Sequence, residues 1–478
     1  MLYQEAGSEQ AWAESHFSKA KLGDQRRTRR LIAVACAMAT DPQGSIPRQN
    51  RSAARIKGAY RLFDCEQVSF ESVSQSHWEQ TRLLAHQCQV TLMIQDTTWL
   101  SYLSHPATEG LGRFGNDSGS GLLLHSVLAV APQADGSGGV MGIAHAKLWA
   151  RDEEVIGTGK KRAKKRRSDD RESMRWGQAV QAVGPAGENH KFIHVGDRES
   201  DIFDLFEKCA RQSNCGFVIR LMRQRNACLG HHPEKLTSKQ RPKSSLKEIC
   251  RGMKTLGTTQ LWIAPRGGRA GRWANLAVAG GAVTIYSPWF GTGGSRTARP
   301  LCCWAVRVFE INAPAGVQPL EWLLLTSEPV KDLADALRIS SYYSLRWMIE
   351  EYHQCLKSGC KVEERQLETA DRLGPFIGIA TAIAARLLQL KNDARLTPDR
   401  PAMQCVQKEL VELLAKLIKA KPEKLTIKRF THEVAKLGGF MGRKSDGDPG
   451  WKTLWSGWQQ LNLIHRGYLL AKEQARCG

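Results

Sequence analysis

The chain has 478 residues, 42% of them apolar, and carries 69 Lys+Arg against 47 Asp+Glu, a net charge of +22. At roughly 100–200 residues per domain this length predicts about two to four structural units, and the apolar fraction excludes a globally disordered chain. The charge does not define a fold, but it points to a polyanionic partner rather than a small-molecule substrate.

No membrane span is expected. The longest apolar stretch, Leu373 to Ala385, lies between Arg372 and Arg386 and falls short of the ~18–20 residues a spanning helix needs. Trp273 to Ser295 is uncharged and longer, but five Gly and a Pro break it. The N-terminus is polar, so no secretory signal is expected and the chain reads as cytoplasmic. Thirteen scattered Cys without a CxxC pair read as reduced thiols rather than a disulfide framework. Cys228, His231 and His232 come nearest to a metal cluster. They lack a second pair at finger-like spacing and read as a polar surface loop.

Residues 1–70 read as a helical, basic unit. Arg26, Arg27, Arg29 and Arg30 fall within five positions, and Arg48, Arg51, Arg55, Lys57 and Arg61 follow. Leu31, Val34, Ala35 and Met38 recur at helical spacing between them, the pattern of a packed helix with a cationic outer face. From about residue 88 the period changes to two: Val90, Leu92 and Ile94 alternate, and Asp96 continues their parity, which predicts a strand ending in an acid. Leu122–Ala131 and Val140–Trp149 are further strands joined by the turn residues 135–139, giving a three-strand antiparallel meander. A helix at Met174–Val183, a strand at Lys191–Val195, a helix at Asp201–Cys209 and a strand at Gly216–Leu221 follow. The order βββαβαβ predicts an α/β fold, a mixed sheet with helices on its faces.

The stretch 222–315 breaks this rhythm and reads as an inserted β-rich subdomain, with Asn275–Tyr286 as a hairpin around Gly280 and Gly281. Residues 322–326 form a short buried strand, and one long helix covers about 331–358. Residues 373–478 read as helices, with Trp451, Trp455 and Trp458 on one face, a stripe that suits core packing or a partner interface. The run Lys160–Arg167 holds seven cations in eight positions and reads either as a solvated loop or as one that touches phosphates.

Two acids follow strands, Asp96 and Asp197, where an open α/β sheet aims loop residues into a cleft. Two carboxylates held close repel, and a divalent metal with oxygen ligands removes that cost. On the long helix Tyr343, Arg346, Glu350 and Lys357 fall on a narrow stripe, away from the face of Leu345, Ile349, Tyr352 and Leu356. The pattern alone also fits an ordinary amphipathic helix with an Arg346–Glu350 pair.

The segment from Tyr343 to Lys357 matches Tyr-(2)-Arg-(3)-Glu-(6)-Lys, and here the chain resembles the bacterial insertion-sequence DDE transposases of the Tn-five-like cut-and-paste group. Further resemblances appear in order along nearly the whole chain: Leu22 to Thr28, Gly58 to Arg61, Asp96 to Thr98, Asp197 to Glu199, Trp322 to Pro329, and Leu437 to Met441 with the three Trp after it. The resemblance implies an RNase-H-like mixed-sheet catalytic core over about 71–372, interrupted by the β-rich insertion. A helical N-terminal domain over 1–70 would bind transposon ends, and a helical C-terminal domain over 373–478 would dimerise. Asp96, Asp197 and Glu350 would be the catalytic triad and hold two Mg2+ ions, with Mn2+ able to substitute. Arg26, Arg27, Arg30, Arg61, Trp322, Tyr343, Arg346 and Lys357 would contact double-stranded DNA. The family cuts through a hairpin intermediate and joins 3′-hydroxyl ends to target DNA within a synaptic homodimer. An RNase-H-like nuclease that only hydrolyses, and a binding-only regulator descended from a transposase, are the rival readings. The three acids speak against the regulator, because a binder does not require them.

Overall fold

Side-chain caps start the N-terminal helices. Asp24, Ser45 and Ser52 accept the N–H groups of Arg26, Arg48 and Arg55, which have no partner inside a helix. In this computed structural model, which describes residues 8–114, 119–151, 171–237, 240, 242–263, 265, 270–287, 297–443 and 446–477, they begin α2 (Gln25–Thr40), α3 (Ile46–Asn50) and α4 (Ala53–Phe63), after α1 (Glu9–Phe17). Leu31, Val34, Ala35 and Met38 form the buried face of α2, as their spacing requires. The cationic run Lys160–Arg167 lies outside the described residues.

Helix α5 (Phe70–Ala85) leads into the sheet. Strands β1 (Val90–Ser101), β3 (Gly119–Pro132) and β4 (Gly138–Trp149) form the expected antiparallel meander, with a short β2 (Gly112–Phe114) added beside β3. After α6 (Arg175–Val183), β5 (Lys191–Gly196) pairs parallel to β1. After α7 (Phe203–Arg211), β6 (Cys215–Arg220) pairs parallel to β5. Parallel neighbours need a crossover, and α6 and α7 supply the two crossovers and cover the sheet. This mixed sheet with its helices is the RNase-H-like core.

The insertion continues the same sheet. It contains β7 (Ala227–Leu229), β8 (Leu236–Thr237), α8 (Leu246–Gly252), β9 (Thr255–Ile263), β10 (Arg272–Tyr286), β11 (Thr297–Ala298) and β12 (Pro300–Ile311), followed by β13 (Glu321–Thr326). Strand β13 pairs with β6, β12 with β13, and β10 with β12, so the sheet reaches 11 strands among the described residues. The expected hairpin around Gly280 and Gly281 is absent. Strand β10 runs straight through both glycines and pairs with β12 without a break from Asn275 to Tyr286. Neither glycine adopts the positive φ that a tight hairpin turn demands. Gly280 serves close approach instead: a Cβ there would lie 2.8 Å from Val330 Cγ1 and 3.2 Å from the Ala305 carbonyl.

The expected single helix over 331–358 is two, α9 (Leu333–Ser344) and α10 (Trp347–Gln354). Between them the N–H groups of Arg346, Met348 and Ile349 bond to carbonyls three residues back, which tightens the turn that separates the two helices. A single π turn at Cys355–Gly359 closes α10. The C-terminal helices are α11 (Ala370–Leu396), α12 (Lys408–Leu417), α13 (Ile427–Leu437) and α14 (Trp451–Cys477). Helix α11 is long and apolar enough to cross a bilayer, but 83% of its most apolar window is buried inside the protein, so it is a core helix here. Trp451 and Trp455 stack at 5.6 Å and both are buried, as core packing predicts.

Candidate active site

The parallel pairing of β1 with β5 stops at Ile94 and Val195, while β1 continues to Ser101 alongside β3. Asp96 is therefore inside a strand rather than at its end. It stands just beyond the point where the parallel neighbours part, and Asp197 directly follows β5. Glu350 comes from α10, which packs against β1. Three elements thus deliver one acid each to the same opening in the sheet.

Asp96 registers this convergence. Burial, first of all, pushes its carboxyl up to about 7, and the charges of Asp197 and Glu350 push the same way. The Thr97 N–H, which donates to Asp96 Oδ1 at 2.8 Å, and the Arg346 guanidinium oppose the rise. Asp197 Oδ1 accepts the Glu199 N–H at 2.8 Å, which fixes its side chain at the strand end. Glu350 Oε1 accepts a hydrogen bond from Arg346 Nη2 at 2.6 Å. A buried carboxylate that feels the charges of two others supplies oxygen donors of the kind a hard divalent cation takes.

The structure brings together part of the expected stripe. The Arg346 guanidinium lies 6.0 Å over the Tyr343 ring, and Trp322 meets Tyr343 edge-on at 5.1 Å. Tyr343 is buried and supports Trp322, while Trp322 itself is half-exposed. Lys357 lies beyond the helix break and within the π turn, where it faces Glu363 at 3.5 Å.

Two groups at the site went unforeseen. His353 Nδ1 lies 3.9 Å from Asp96 Oδ2, and burial above all pushes its imidazole down to about 3, so it stands there neutral. Its position three residues after Glu350, on the same helix face, was the available signal. Arg175 donates to Thr97 Oγ1 at 2.8 Å and to Glu199 Oε2 at 3.0 Å, so it ties the segment after Asp96 to the segment after Asp197. No pattern in the chain marks it.

The N-terminal cations differ from one another. Arg26 is highly exposed and pairs with Asp24 at 3.0 Å. Arg27 Nη1 donates to the Leu22 carbonyl at 2.8 Å and holds the loop before α2. Arg30 lies over Gly58, close enough that a Cβ there would be 3.4 Å from its Nε. Arg61 lines an open groove of about 670 Å3 with Lys57, Tyr60 and Arg372. His231 and His232 turn their Nε2 atoms to the Cys303 and Leu229 carbonyls, at 3.0 and 2.8 Å.

Three family models match the chain. The model described as transposase DNA-binding covers residues 9–68, the transposase DDE domain covers 176–386, and the transposase Tn5 dimerisation domain covers 383–478. The middle match contains Asp197 and Glu350 and begins after Asp96.

Proposed function

Because the chain belongs to the insertion-sequence DDE transposases of the Tn5 type, DNA-binding enzymes that act on DNA with a divalent metal and form homodimers, we propose that it excises its own element and pastes it elsewhere. In this reading Arg26, Arg27, Arg30 and Arg61 belong to the surface that meets the element's ends. Asp96, Asp197 and Glu350 cut, and two protomers hold the two ends together, in the cytoplasm and at the nucleoid. The observation that carries the reading is the meeting of β1, the end of β5 and α10, which brings Asp96, Asp197 and Glu350 toward one place.

Asp96, with Asp197 and Glu350, would hold two Mg2+ ions, or Mn2+, which when bound neutralise charge at the attacking and leaving oxygens. The remaining work falls to side chains. The Thr97 N–H engages Asp96 Oδ1, and Asp197 is pinned by the Glu199 N–H. The neutral His353 can donate toward Asp96 without adding a charge. Arg346 has a planar fork, so it can hold a DNA phosphate beside Glu350, and Lys357 adds a second cation.

Water attacks a backbone phosphorus, the bond to the 3′-oxygen breaks, and a 3′-hydroxyl is freed. That hydroxyl attacks the opposite strand, closes a hairpin and releases the flanking DNA. A second water reopens the hairpin, and the same hydroxyl attacks target DNA. Closing a hairpin demands a sharp bend, which a base leaving the stack permits. Trp322, half-exposed and backed by Tyr343, is a platform for that base.

The test is incubation of the protein with Mg2+ and duplex DNA bearing the flanking repeats of its own gene. Nicked, hairpin and joined products are expected in that order. Asp96→Asn, Asp197→Asn and Glu350→Gln should each abolish cutting and leave end binding intact. Cut ends without joined product would make the protein a nuclease, and end binding without any cutting would make it a regulator. Near-wild-type cutting by any one of the three variants would remove that acid from the triad.

A further inference from the structure

His194 lies on β5, three residues before Asp197. Cys215 opens the neighbouring strand β6, and Cys209 lies in the last turn of α7, which packs on β6. The ligand atoms of these three residues all lie within 4.8 Å of one another, and no other group of three His, Cys, Asp or Glu among the described residues does so. His194 and Cys209 are buried, and Cys215 is half-buried. The His194 ring is held from behind, where Nδ1 meets the Gln95 amide nitrogen at 2.7 Å. Its other nitrogen, Nε2, is buried, meets no oxygen or nitrogen, and faces the Cys215 thiol.

A buried ring nitrogen that has only thiols for company sets an imidazole and two sulfurs around one point. We propose that His194 Nε2, Cys209 Sγ and Cys215 Sγ form a site for one borderline-soft divalent cation of the Zn2+ class. Two thiolates and an imidazole suit such a cation and do not suit Mg2+, so the site is chemically separate from the acid triad. At Zn–S distances of about 2.3 Å and Zn–N distances of about 2.0–2.1 Å, tetrahedral ligands stand roughly 3.4–3.8 Å apart. The observed cluster needs only a small contraction to reach that. Water fills the fourth position from the half-exposed side of Cys215, and each thiol that is still protonated gives its proton to solvent on binding.

The surroundings suit a ligand role for His194. Metal-bound histidines are oriented through their other nitrogen. A half-turn of the Gln95 amide, whose two ends are alike in shape, presents its oxygen to Nδ1–H and leaves the Nε2 lone pair for the metal. The Gln95 amide also meets His125 Nε2 at 3.1 Å, and His125 Nδ1 meets Thr97 Oγ1 at 2.9 Å. The site therefore connects through buried hydrogen bonds to the residue after Asp96. A cation there would clamp α7 and β6 to the strand that presents Asp197.

The experiment uses the full-length protein stripped of metal. Titration with Co2+ should give a thiolate-to-metal charge-transfer band that saturates at one equivalent and is displaced by Zn2+. Cys209→Ser and Cys215→Ser should each lose the band and weaken Zn2+ binding by at least about tenfold, while Cys302→Ser, at an exposed thiol elsewhere, should keep both. Should a variant fail to fold, the wild-type protein still decides. Zn2+ should slow alkylation of Cys209 and Cys215 at least about tenfold and leave Cys302 unprotected. No band in the wild type, a band that survives both serine variants, or protection that does not favour Cys209 and Cys215 would overturn the proposal.

Discussion

Arg346 Nη2 donates to Glu350 Oε1 at 2.6 Å, one turn further along the chain, and the same guanidinium holds down the pKa of Asp96. One cation thus steadies two of the three acids before DNA arrives. Arg346→Ala should leave the first nick and stall at the hairpin, because the phosphate beside Glu350 loses its grip while the acids remain. Trp322→Ala should stall at the same step. An abasic site at the flipped position should rescue Trp322→Ala in part, since less stacking then has to be replaced; base–aromatic stacking is worth about 1–3 kcal/mol. Time courses on denaturing gels read this out. Equal loss of nick and hairpin, with no abasic rescue, would mean that these residues serve folding.

Asp96 makes the metal-free protein sensitive to pH. Its carboxyl stands at about 7 in the folded chain against an ordinary 3.8, chiefly through burial. The folded state therefore holds the proton more tightly than the unfolded state. The associated stability is present below 3.8 and is lost as pH rises through 7. In chelator, Tm should fall between about pH 5 and pH 8. Asp96→Asn should raise Tm at the upper end and change it less at the lower end. Mg2+ should stabilise the wild type more than the variant at the upper end. A Tm that rises with pH equally in both proteins would contradict this.

End binding should depend on salt through the N-terminal cations. Arg26, Arg30 and Arg61 are exposed, and each one that neutralises a DNA phosphate should, on substitution to Ala, reduce the slope of log K against log salt by about 1. Arg27 is turned toward the Leu22 carbonyl, so Arg27→Ala should also loosen the start of α2. Fluorescence anisotropy at several salt concentrations separates these outcomes. An unchanged slope in the Arg26, Arg30 and Arg61 triple variant would turn this surface away from DNA.

The C-terminal helices cross at their glycines. A Cβ at Gly457 would collide with the Val434 carbonyl of α13 and lie 3.1 Å from the Gly438 nitrogen, whereas a Cβ at Gly467, farther along the same helix, would meet nothing within 4 Å. Gly457→Ala should destabilise the fold by about 1–3 kcal/mol, and Gly467→Ala should stabilise it by about 0.5–1 kcal/mol through helix propensity. Denaturant melts of the two variants should shift in opposite directions. The same direction in both would show that α14 crosses α13 differently.

Much of the fold was legible because it is written in local period. Leu31, Val34, Ala35 and Met38 repeat because one stripe of α2 is buried. Val90, Leu92 and Ile94 alternate along a strand whose two faces are both covered from Thr91 to Gln95. The errors came where one local signal serves two structures. Gly280 and Gly281 look like a turn, yet they belong to a continuous strand that needs room for Val330. The break at Leu345 and Arg346 interrupts a stretch whose periodicity continues through it.

By itself the sequence determined which three acids are candidates, the Tyr-Arg-Glu-Lys spacing and most of the order of helices and strands, since each of these is a property of neighbouring residues. Only the tertiary structure decided what surrounds them. Asp96 acquires its raised pKa because β1, the end of β5 and α10 meet, and nothing in the segment around Asp96 encodes that meeting. Arg175 and His353 reach the site in the same way, from a helix start and a buried helix face. His194, Cys209 and Cys215 come from three elements with no motif between them, and they converge because parallel β5 and β6 lie side by side with α7 packed against them. Periodicity follows from the backbone's repeat, but such convergences follow from which faces the core brings together.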